Sequence, residues 1–142
     1  MSKSNAVKRK RTTASGDKWR SSGKILFVDD EETIRQVGNS LLKLLGFEAL
    51  LAADGLEAIR TFKEHAADLR LVLLDMSMPR MDDYEVFREL RKIRADIIAI
   101  ICSSHNITDD VDRPDCKDIA GFIQKPYQLS TLSRKIREVL GE

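Results

Sequence analysis

Five short apolar runs punctuate the chain, and between them the apolar residues recur at helical rather than alternating spacing. "KILFV" is compact and rich in strand formers. "TIRQVGNSLLKLLG" follows it with Ile34, Val37, Leu41, Leu44 and Leu45 in a helical stripe that stops on Gly46. "FEALLA" predicts a second strand, after which Asp54 predicts an N-cap and Ala58, Ile59, Phe62 and Ala66 mark one face of a second helix. Neither "LVLLD" nor "IIAIIC" alternates, so each predicts a strand buried on both faces, and Val86, Phe87, Leu90 and Ile93 between them predict a third helix. "TDDVDRPDCKDIAG" holds Pro114 and few apolar positions, which predicts a short or frayed helix. "GFIQ" predicts the fifth strand, "KP" breaks it, and Leu132, Ile136, Val139 and Leu140 define a terminal helix.

Unbroken strands alternating with helices predict a parallel sheet covered on both sides. The expected fold is a doubly wound α/β domain of five strands and five helices from Lys24 to Glu142. A chain of 142 residues is the size of one such domain, and no internal repeat is visible. Residues 1–23 differ from the rest: they hold seven basic residues against one acidic, a net of +6, which leaves −5 for the body of a chain whose formal total is +1. With almost nothing apolar, this basic segment predicts a flexible tail. No apolar stretch approaches the roughly 20 residues that span a bilayer, and the first thirty lack the apolar centre of a signal peptide, so a cytoplasmic location is expected. Cys102 and Cys116 have neither metal-ligand nor disulfide-framework spacing and read as ordinary thiols.

In an open parallel sheet, ligands bind outside the carboxyl ends of the strands. Those ends offer Asp29 and Asp30 after the first strand, Asp75 after the third, Ser103 after the fourth and Lys125 after the fifth; Ala52 and Ala53 after the second offer nothing. Three carboxylates on one rim need a divalent cation to stay ionised together, and oxygen donors without His or Cys favour a hard ion, Mg²⁺ best. An ionised carboxylate is already a nucleophile, so a phosphoryl group presented in line requires no general base, only position and charge neutralisation. Taken singly, these residues have simpler readings. Acids suit a helix N-terminus, Lys125 could cap a strand, Ser103 could bond nearby backbone, and Phe122 could be core.

From "ILFVDDEE" through "LVLLDMSMPRMD" and "IICSS" to "GFIQKPY", residues 24–142 resemble the receiver domain of two-component response regulators, with a flavour of the receivers attached to hybrid sensor kinases. The resemblance implies a flavodoxin-like sheet of strand order 2-1-3-4-5. It implies Asp75 as phosphoacceptor, Asp29 and Asp30 with Asp75 as Mg²⁺ ligands, and the backbone carbonyl of Ser77 as a further ligand. It also implies Ser103 as switch hydroxyl, Lys125 as the conserved-type lysine, Phe122 as the aromatic switch residue and a cis bond between Lys125 and Pro126. The implied partners are a sensor histidine kinase or a histidine phosphotransfer protein, and a downstream protein target; phosphorylation-dependent dimerisation is left open. This would be a signalling domain rather than an enzyme on an external substrate. Departures fall at Asp83, where a glycine is usual, at Ser104, and at His105, which together with Ser77 bears on the lifetime of the phosphoryl group.

Two other functions compete. A Mg²⁺-dependent phosphatase of the haloacid-dehalogenase kind would use Asp29 as nucleophile, but it wants an Asp two residues on, where this chain has Glu31. A nucleic-acid binder would work through the run Lys8 to Arg11, but no folded basic surface accompanies that run, and a solvated tail is the simpler reading. His65, at a helix end, is expected in water.

Overall fold

The computed structural model describes residues 19–75, 83–103, 118–126 and 128–142. Five strands, β1 (Lys24–Val28), β2 (Glu48–Ala52), β3 (Leu69–Asp75), β4 (Ala99–Ser103) and β5 (Gly121–Gln124), form one sheet. All neighbours are parallel and the order is β2-β1-β3-β4-β5. The fold is therefore the doubly wound α/β domain predicted from the unbroken apolar runs. Among the described residues the helices number four: α1 (Glu32–Leu44), α2 (Gly55–His65), α3 (Asp83–Ile93) and α4 (Leu129–Leu140). The fifth, expected around Pro114, lies outside the described residues.

Alternate positions of each strand face opposite sides of the sheet, and this divides the core in two. Leu26, Val28, Val72, Leu74 and Ile101 pack with Phe62, Val86, Phe87 and Leu90. On the other side Ile25, Phe27, Leu71, Leu73 and Ile100 pack with Leu42, Leu45, Leu132 and Ile136. Asp54 caps α2 as expected: its Oδ1 accepts from the Glu57 N–H at 2.8 Å, and the Glu57 carboxylate reaches back to the Ala53 N–H.

The face of α1 differs from the expected stripe. Ile34, Leu41 and Leu45 pack against the core as expected, but Val37 and Leu44 are 41% and 51% exposed, and Gly38 and Leu42, outside the stripe, are buried. The reason is size. The edge of the Phe27 ring lies where a Cβ on residue 38 would be, 2.5 Å from it, so the helix presents its smallest residue to the sheet and turns the apolar stripe partly outward. Ile93 is likewise 36% exposed at the end of α3, and His65 is half-buried rather than fully solvated.

Folded contacts begin before Lys24. Trp19 lies 6.0 Å from the Phe47 ring, and the Arg137 guanidinium stands 5.5 Å above the indole. The Ser21 N–H donates to the Leu45 carbonyl at 2.7 Å. Gly46, at φ +97°, admits this strand of chain: a Cβ there would fall 2.1 Å from the Ser21 carbonyl oxygen. Arg70 donates to the Ser21 hydroxyl and the Ser22 carbonyl and pairs with Glu142, whose other carboxylate oxygen accepts from the Ser21 hydroxyl at 2.8 Å.

Candidate functional site

Strand register assembles the site. Val28 is opposite Leu74, so Asp29, one residue on, lies beside Asp75; Asp75 pairs with Cys102, one residue short of Ser103, and Ser103 pairs with Gln124, one residue short of Lys125. A backbone bond from the Lys125 N–H to the Ser103 carbonyl, 2.7 Å long, extends the β4–β5 ladder one step and fixes where the lysine leaves. The Lys125–Pro126 bond is cis.

Asp29, Asp75 and Ser103 are fully buried and Asp30 is exposed. One ligand oxygen from each of Asp29, Asp30 and Asp75 lies within 4.8 Å of the other two. Neighbouring strands are about 4.8 Å apart, and Lys125 uses the length of its side chain to cross β4 from β5. Its Nζ sits 2.9 Å from Asp75 Oδ1 and 2.9 Å from Asp29 Oδ2. Asp29 is held at other points as well. Its Oδ1 accepts from the Glu31 N–H at 2.9 Å, its own N–H donates to the Ala52 carbonyl at 3.1 Å, and its carbonyl accepts from Arg35 Nη1 at 2.6 Å.

Burial pushes the Asp29 carboxyl up, the Lys125 and Glu31 hydrogen bonds pull it down, and the charge of Asp75 adds to the upward side; it lies above its ordinary 3.8. Burial alone would lower Lys125, but its hydrogen bonds to Asp29 and Asp75 and their charges outweigh this and hold it above 10.5. One ammonium thus serves two buried carboxylates, with a third carboxylate at the rim. The surplus of negative charge and the all-oxygen donor set suit a hard divalent cation, and Asp29, Asp30 and Asp75 are the residues that would hold Mg²⁺.

A group whose folded pKa is raised contributes stability that is complete below its unfolded value and lost as pH rises through the folded one. At neutral pH, ionised Asp29 is therefore a cost to the metal-free protein, while Lys125 keeps Asp75 if Asp29 is neutralised. Asp29→Asn is expected to raise the metal-free melting midpoint at pH 7, with the advantage shrinking as pH falls into the ordinary carboxylate range. Thermal denaturation in EDTA checks it; a lowered midpoint would contradict the sign.

Phe122 is half-buried against the first core cluster. Ser77, Ser104 and His105 lie outside the described residues; Asp83 is the first residue of α3. Sequence reasoning missed Arg35. A cation in the first turn of a helix opposes the helix dipole, and that was the available signal of a specific task.

A parallel sheet of order 2-1-3-4-5 with a carboxylate cluster and a bridging lysine beyond its strand ends defines a doubly wound domain of the chemotaxis-regulator kind. The chain belongs to the response regulator receiver domain family, whose model matches residues 25–137. It is 38% identical over 120 residues to a probable transcriptional regulator, ycf27, of Porphyridium aerugineum, covering 82% of this chain and 48% of the relative. Thus the chain spans about half the length of the ycf27 regulators it matches. Among solved structures, a response regulator receiver domain protein from Clostridium thermocellum superimposes with a TM-score of 0.77 at 31% identity, covering 84% of this chain and 94% of that one. CheY in the CheX-CheY-BeF3-Mg²⁺ complex from Borrelia burgdorferi gives 0.75 at 26%, covering 82% and 88%. No helix among the described residues is long and apolar enough to cross a membrane.

Proposed function

We propose that the chain is a phosphorelay receiver in which Asp75 accepts a phosphoryl group from a phosphohistidine on a sensor histidine kinase or a histidine phosphotransfer protein. The observation that carries this reading is Lys125 bridging Asp29 and Asp75 beside the exposed Asp30. An Asp75 oxygen attacks phosphorus, the P–N bond breaks, and imidazole leaves with the electron pair, so an acyl phosphate forms on Asp75. Lys125 would hold one phosphoryl oxygen and the Ser103 hydroxyl another. Bound Mg²⁺ supplies neutralisation of the charge that phosphoryl and carboxylate oxygens bring together.

New contacts to the phosphoryl oxygens would bias the packing of Ser103 and Phe122 towards a second state read by a downstream protein, with dimerisation one form that reading could take. The borrelial CheX-CheY complex supports the chemistry, since it holds BeF3 and Mg²⁺ together with a protein of this fold. Nothing among the described residues favours the phosphatase alternative, and residues 1–18 of the basic segment lie outside them. Incubation with a small phosphodonor and Mg²⁺ is expected to give one acid-stable, base-labile adduct that peptide mapping places on Asp75. An adduct on another residue, or none, would overturn the proposal.

A further inference from the structure

We infer that Arg35 is a positioning residue for the metal site, acting through the backbone carbonyl of Asp29; the inference rests on the functional reading above. Arg35 lies in the first turns of α1 and is half-buried, and its Nη1 donates to the Asp29 carbonyl over 2.6 Å. That carbonyl belongs to the peptide joining Asp29 to Asp30, and a planar peptide held at its oxygen has its N–H and next Cα held as well. Asp29 has further anchors: the Ala52 carbonyl, the Glu31 N–H and Lys125. Asp30 is exposed, so the direction in which its carboxylate leaves the chain depends on that peptide plane. A charge-assisted hydrogen bond from a guanidinium is a strong way to fix it.

The two roles Arg35 could have make opposite forecasts. As a bare positive charge near the carboxylates it would repel a dication, and neutralising it would tighten Mg²⁺ binding. As a clamp on the peptide before Asp30 it organises the ligands, and releasing it would weaken binding. Changes to groups that orient metal ligands typically cost about 10- to 100-fold in affinity.

The test is Mg²⁺ affinity of the full chain, measured by displacement of Mn²⁺ followed by electron paramagnetic resonance, for wild type, Arg35→Gln and Arg35→Lys. Arg35→Gln is expected to weaken Mg²⁺ about 10-fold or more, and Arg35→Lys, which can still donate to the carbonyl, to recover part of the loss. Unchanged or tighter binding by Arg35→Gln overturns the inference. So does a variant whose metal-free melting midpoint falls while its Mg²⁺ affinity stays at the wild-type value. Should Arg35→Gln fail to fold, Arg35→Lys decides alone: affinity equal to or above wild type refutes the clamp, and an intermediate loss supports it. If wild type itself binds no Mg²⁺, the functional reading fails and this inference with it, an outcome distinct from one in which wild type binds and Arg35→Gln matches it.

Discussion

Asp75→Asn is expected to abolish the phosphodonor adduct while leaving a folded domain. The amide is the same shape as the carboxylate but carries no anion to attack phosphorus, and the site offers no mechanism for making one. Lys125 keeps its 2.9 Å contact with the Asp29 carboxyl, so the substitution does not leave a buried ammonium unpaired. Intact mass after incubation with phosphodonor and Mg²⁺ is the measurement. Asp30→Asn serves as the control: it removes one of the three clustered carboxylates but leaves Asp75, so it should slow the appearance of adduct without preventing it. An adduct of wild-type yield on Asp75→Asn would show that another residue accepts the phosphoryl group.

The second large effect is on stability. Gly38→Ala should gain about 1 kcal/mol of helix propensity, yet it places a methyl 2.5 Å from the Phe27 ring, which is only 1% exposed and packed on every side. Overpacking a close-packed interior costs about 1–3 kcal/mol or more, so the clash should win and the denaturation midpoint should fall. In a Phe27→Leu background the ring is gone and the same Gly38→Ala step should become neutral or stabilising. A double-mutant cycle by urea denaturation reads this coupling directly. Equal costs in the two backgrounds would mean that the ring contact does not govern the position.

These two residues also show what could be read from the sequence. Asp75 was legible because a single acid closing an unbroken apolar strand has few structural uses, and because parallel strands deliver their C-terminal residues to one rim. The strands were legible for the same reason: burial on both faces removes polar positions from them. Gly38 was not. Hydrophobic periodicity counts apolar side chains, and the closest contact of α1 with the sheet is made by a residue without one, so the stripe held at Ile34, Leu41 and Leu45 but ran too wide at Val37 and Leu44. Arg35 escaped because its partner is a main-chain carbonyl, which every residue has, and its only sequence mark was a cation placed against the dipole of α1. Trp19 and Ser21 were hidden inside a segment whose charge argued for solvation, although the contacts that hold them are a ring, a backbone carbonyl and an ion pair.

The bond between the Ser21 hydroxyl and the Glu142 carboxylate brings the first and last parts of the described fold within hydrogen-bonding distance, at the end of the sheet where the strands begin. A short polar linker could therefore join them into a closed ring without disturbing a strand. New ends opened at an exposed surface turn would then give a circular permutant with the acidic rim intact.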